Sequence, residues 1–289
     1  MSQFVPLSLM LIMFSMGLSL HMVDFKRLFL MPVPILAGLL GQLIVLPIVA
    51  LLVARYFELN SVLAAGLLLL ALCPGGIISN LASMLARANM ALSVTLTTIS
   101  SLLAALTVPL LFNWGQSFLG INLSAFQLDF WNTVMQIAIM TIFPIALGML
   151  INANFRLFAR KYRQWVSRIA ALSFGIVIMF VWKEGWQDIE ASARQLGWAA
   201  LTLNVSTICI GFLIARILGL PFDQRVVLGL EVGIQNSALA VVIATVLIGD
   251  VALAVPAAVY SITMVISAML IVVYSRWRMR TQLEPAISR

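Results

Sequence analysis

Cys73-Pro74-Gly75-Gly76-Ile77-Ile78-Ser79-Asn80 and Glu231-Val232-Gly233-Ile234-Gln235-Asn236-Ser237 each stand in the middle of an otherwise apolar run. In the first, Pro74 removes a backbone donor and two glycines tolerate non-helical angles, so a helix passing through should break there. In the second, a carboxylate, two amides and a glycine fall within seven residues. Broken backbone at membrane depth survives only where it is buried in protein or lines a wet cavity. Paired broken segments in the two halves of a chain are the sequence mark of a binding site between spanning helices.

The surroundings of both stretches point to a membrane. The 289 residues are 63% hydrophobic and 9% charged, against roughly half and about a quarter in soluble domains. Apolar runs of at least about 18 residues, the length that crosses a hydrocarbon layer as helix, are predicted over 4–22, 31–54, 60–87, 90–113, 128–152, 165–183, 197–218, 222–248 and 252–276. The expected fold is therefore an all-α polytopic membrane protein of about nine transmembrane helices. Each broken segment is followed by one more span. The chain then divides into a first repeat over 1–113, with four helices, and a second over 114–289, with five, and an odd number of helices per repeat inverts the topology.

Charge placement tests the count. With nine spans, only Arg55, Lys183 and Arg194 of the 17 basic residues fall on one side, and the rest, Arg289 among them, on the other. Such a bias puts the N-terminus outside and the C-terminus in the cytoplasm. The formal charge of +7 thus belongs to loops and forms no continuous basic face for nucleic acid. Met1 to Val5 carry no Lys or Arg, so the start reads as the first span and not as a cleaved signal peptide. Cys73 and Cys209 lie in separate apolar runs with no metal-ligand spacing.

Glu231 is the one acidic residue placed inside a predicted span. Burying it costs at least about 2.5–3.5 kcal/mol, and no Lys or Arg lies mid-span to pair with it. A bound cation, a proton, or a neutral acid bonded to a neighbouring helix are the alternatives. Gln235, Asn236 and Ser237 offer oxygens of the kind a hard cation takes, as do Ser79 and Asn80 after the first break. Ser93 and Thr97, at i and i+4, present two hydroxyls on one helix face, although such residues commonly bond their own i−4 carbonyl or join helices. Gln42 is the strongly polar side chain in the second span, with an interhelical hydrogen bond as the bland reading. His21 is expected at an interface.

Together the two broken stretches resemble the bile acid:sodium symporter family. Met13-Phe14-Ser15-Met16-Gly17-Leu18, Ala91-Leu92-Ser93-Val94 and Leu218-Gly219-Leu220-Pro221 extend the resemblance over nearly the whole chain, in the form of a bacterial nine-helix member. It implies a core domain, built on two crossed discontinuous helices, that moves against a panel domain. It also implies a first sodium site of Ser79, Asn80, Ser93, Thr97 and Glu231. A second would use Gln42, Glu231 and Gln235 with the carbonyls of Val232 and Ile234. Substrate would meet Asn236, Gly76 and Ile77, the last standing where several bacterial relatives carry Thr.

The resulting expectation is a sodium-coupled symporter of a small organic anion in a bacterial inner membrane, with Na+ as coupling ion and no other cofactor. A proton-coupled or sodium-independent carrier is the alternative. A channel would need rings of like residues along a pore, and an enzyme a nucleophile–base pair or metal cluster; neither pattern is present. Oligomeric state is open, a monomer included.

Overall fold

The computed structural model describes residues 3–118 and 128–287; Met1 and Arg289 lie outside the described residues. All described regular structure is helical: α1 Phe4–Gly17, α2 Met22–Leu30, α3 Pro32–Tyr56, α4 Ser61–Leu72, α5 Ile77–Leu85, α6 Met90–Phe118, α7 Phe130–Asn154, α8 Arg156–Glu184, α9 Trp186–Ile217, α10 Phe222–Gly233, α11 Ser237–Val242 and α12 Val255–Ile287. Seven helical stretches are long and apolar enough to cross a membrane, and α4 with α5, bent by 57° at their break, make an eighth. The chain is a polytopic membrane protein. α1 has 14 residues, a rise of about 21 Å, shorter than the span expected over 4–22.

Two further differences from the sequence reading have local causes. The segment after α1 forms the amphipathic helix α2, started by a reciprocal cap in which the Asp24 carboxylate accepts the His21 N–H at 2.7 Å. It was expected as loop because it lacks the length of a span. α3 carries a π turn at Gly41–Val45. Pro47 follows, and a proline ring crowds the carbonyl four residues before it, which a widened turn relieves.

α10 and α11 form the centre. The apolar window of Phe222–Ile248 is wholly buried, whereas α8 is largely exposed on its apolar faces. Around it pack α3, α5, α6, α9 and α12, while α1, α7 and α8 pack on one another and touch the centre through α1 against α11. The α1–α7 crossing is close: a Cβ on Gly17 would sit 2.3 Å from the Ile145 carbonyl oxygen, and one on Gly148 2.6 Å from that of Phe14. Exposed Leu7, Leu36, Phe143, Leu172, Leu213 and Leu270 mark the outward faces.

Candidate functional site at the two helix breaks

The breaks meet. At the first, Pro74 through Gly76 are non-helical between α4 and α5; at the second, Ile234 through Asn236 separate α10 from α11. The Asn236 N–H donates to the Pro74 carbonyl at 2.8 Å, so each interruption satisfies a backbone group that the other exposes, as a buried helix end requires. A Cβ on Gly76 would lie 3.6 Å from the Asn236 Cα, and one on Gly75 2.6 Å from Glu231 Oε2. Gly75 is what allows the carboxylate to approach the broken backbone, while Gly76 faces the second break.

Glu231, on the last turn of α10, is buried with both oxygens engaged. Ser93 Oγ donates to Oε1 at 2.7 Å and Thr97 Oγ1 to Oε2 at 2.8 Å. The same hydroxyls lie 2.9 Å and 3.3 Å from Asn80 Oδ1, and Thr97 Oγ1 is 3.0 Å from the Ser93 carbonyl. Each hydroxyl has a single proton. With Asn80 facing the group through Oδ1, five acceptor contacts are served by two protons, and the group is made of oxygens of the kind a hard cation takes. Ser79 Oγ, also buried, donates to the Gly76 carbonyl at 2.8 Å. Among the described residues the one ion pair is Arg27 with Asp24, remote from Glu231.

A second group lies against the first. Gln42 Nε2, from the π turn of α3, donates to Gln235 Oε1 at 3.4 Å, and Gln235 Nε2 donates to the Val232 carbonyl at 2.8 Å. Gln42 therefore does make an interhelical hydrogen bond, and it makes it to another expected ligand. The Ile234 N–H closes the end of α10 on the Leu230 carbonyl at 2.9 Å.

Asn236 caps α11 by accepting the Leu239 N–H at 3.1 Å. Its buried Nδ2 has no hydrogen-bond partner among the described residues, and the residue lines a cavity of about 190 Å³ with Gly76, Ile77, Ile12, Phe174 and Met264. Ile12 and Phe174 come from α1 and α8, so the cavity lies where those helices face the breaks.

Two residues passed over in the sequence complete the second break. Asn204 Nδ2 of α9 and the Tyr260 hydroxyl of α12 both donate to the Gly233 carbonyl, at 2.7 and 2.8 Å. They hold a carbonyl that the interruption of α10 leaves without a helical partner. The signal was an amide in the middle of the apolar run 197–218. His21 is the N-cap residue of α2, with its ring Nε2 3.5 Å from Asn152 Nδ2.

Comparison with known proteins settles the family. A profile described as the sodium bile acid symporter family matches residues 6–189. The chain belongs to that family. A Bacillus subtilis protein named "Uncharacterized sodium-dependent transporter YocS" is 29% identical over 289 residues, covering 100% of this chain and 87% of its own. An Arabidopsis thaliana protein named "Probable sodium/metabolite cotransporter BASS1, chloroplastic" is 32% identical over 251 residues, or 86% of this chain and 61% of its own. The human protein named "Sodium/bile acid cotransporter 4" is 29% identical over 238 residues, covering 81% and 53%. This chain thus spans about three-fifths of the plant relative and about half of the human one. Membership supports a multi-pass membrane transporter that uses Na+.

Proposed function

We propose that the chain is a sodium-coupled symporter that carries a small organic anion across a bacterial inner membrane by alternating access. The observation that supports it best is the convergence of Glu231, Asn80, Ser93 and Thr97 from three helices, with more acceptor contacts than protons. Ser79, adjacent to them, completes the first sodium site. Asn80 supplies a switch: with Oδ1 inward the set is one of acceptors for a cation. Turned by 180°, the amide would donate to both hydroxyls and close the network without one. Gln42, Gln235, Glu231 and the carbonyls of Val232 and Ile234 form the second site, for which the Gln235 amide must rotate to turn its oxygen inward.

One carboxylate and two Na+ leave a local charge of +1, which a monoanion cancels without a buried basic residue. The anion's place is the cavity at Asn236, Gly76 and Ile77, where a buried Nδ2 donor meets apolar walls. That chemistry suits a small carboxylate with an apolar body. Motion of α1, α7 and α8 against the remaining helices would open the cavity to either side, and residues 1–113 and 114–289 are its two inverted repeats.

Thermal stability of the purified protein in detergent, in Na+ against K+, tests the reading. Ligand at about a hundred times its Kd stabilises by about 2.7 kcal/mol, a rise of several degrees for a chain of this size. We expect a Na+-specific rise that Glu231→Gln abolishes while the protein still inserts and folds. Equal stability in both cations, with uptake driven by a pH gradient, would establish the proton-coupled alternative instead.

A further inference from the structure

A second cavity, of about 550 Å³, opens between α9 and α12 at the end of the molecule where α9 turns into α10. Its chemistry divides along its length. At the rim stand Arg216, Arg225 and Arg278, with the Arg278 guanidinium 4.3 Å above the Phe222 ring. Away from the rim the walls are Cys209, Leu213 and Leu270, and these last two are 54% and 65% exposed on the outward faces of apolar spans. Among the described residues no acidic side chain lines it. The helical distance from Cys209 to Arg216 is about 10 Å, the depth over which an acyl chain begins below its headgroup.

We propose that this cleft is a binding site for an anionic phospholipid, with its phosphate among the three arginines and an acyl chain along Leu213, Cys209 and Leu270. Guanidinium groups match phosphate oxygens with paired donors, and basic pockets between spanning helices on one membrane side select anionic headgroups. The charge at the rim excludes a neutral occupant as the preferred one, and the open apolar walls favour a lipid over a free anion. Because Phe222 and Arg225 begin α10, the lipid braces the helix that presents Glu231. The site is independent of which ion or cargo is carried.

The protein contains a built-in comparison. The cavity lined by His21, Asn152, Arg156, Arg160 and Arg163 is also basic, but among the described residues Leu18 is its one apolar wall, which gives an acyl chain little to lie along. The test is the thermal stability of delipidated full-length protein in micelles doped with phosphatidylglycerol, with phosphatidylcholine, or with inorganic phosphate in the buffer. Phosphatidylglycerol is expected to raise Tm by several degrees, and the other two to leave it unchanged. Arg216→Gln should remove at least half of that rise and Leu213→Trp, which narrows the groove without touching charge, most of it; Arg160→Gln should keep it. The proposal is overturned if phosphatidylcholine or phosphate alone gives the same rise, or if Arg216→Gln and Leu213→Trp both retain it in full. Should Arg216→Gln fail to fold, Leu213→Trp at a bilayer-facing position decides alone.

Discussion

Glu231 is held by one hydroxyl on each oxygen, and those hydroxyls are shared with Asn80. Its isolation was legible in the sequence, because a lone carboxylate in an apolar span must have a partner, and so were Ser93 and Thr97 by their spacing. Asn204 and Tyr260 were not. An amide and a phenol in apolar runs look like interhelical glue, and only the structure shows both on the Gly233 carbonyl. At this scale Ile77 bears on cargo: it lines the cavity beside Asn236, whereas the carboxylate's partners are Ser93 and Thr97. Ile77→Thr should therefore shift the order of preferred organic acids by about tenfold, equivalent to about 1.4 kcal/mol, and leave the Na+ dependence of Tm unchanged. Competition uptake assays together with Na+ titrations check it, and a change in Na+ affinity alone would refute the placement.

The two breaks show what an element can and cannot do by itself. Pro74-Gly75-Gly76 ends α4 by local chemistry, so its position could be read directly. The second break has no proline, and α10 ends at Gly233, whose carbonyl meets tertiary donors while Ile234 turns extended. The π turn in α3 was hidden as well, since Pro47 announces a disturbance but not which turn absorbs it. The glycine pair separates two roles. Alanine at 75 would drive its Cβ to 2.6 Å from Glu231 Oε2, while at 76 the nearest atom is 3.6 Å away. Gly75→Ala should cost about 1–3 kcal/mol by overpacking and lose the Na+-specific stabilisation. Gly76→Ala should retain that stabilisation and instead weaken uptake of the anion. Melting curves of both variants with and without Na+ distinguish them.

Across the whole molecule, helix ends far apart in the chain gather on one side. Arg276 Nε donates to the Leu85 carbonyl at 2.7 Å, Asn89 Nδ2 to Asp223 at 3.2 Å and Asn152 Nδ2 to the Leu20 carbonyl at 2.8 Å. The basic residues counted to one side, Arg87, Arg156, Arg216 and Arg276 among them, flank these contacts. The excess predicts that this side is cytoplasmic. In a Cys209→Ser background, Arg194→Cys should react with an impermeant thiol reagent in intact cells and Arg160→Cys only after permeabilisation; the reverse pattern would invert the assigned orientation. Composition, run length and the Pro-Gly-Gly break determined by themselves that the chain is a helical membrane protein with an interrupted span and one isolated carboxylate, because transfer into lipid and backbone satisfaction act on each segment separately. Only the tertiary structure decided that the two breaks share a hydrogen bond, that Asn80, Ser93 and Thr97 surround Glu231, and that α10 and α11 lie at the buried centre. Those facts depend on which distant helices pack together, and in a chain so uniformly apolar many faces satisfy the lipid equally well, so hydropathy could not choose among them.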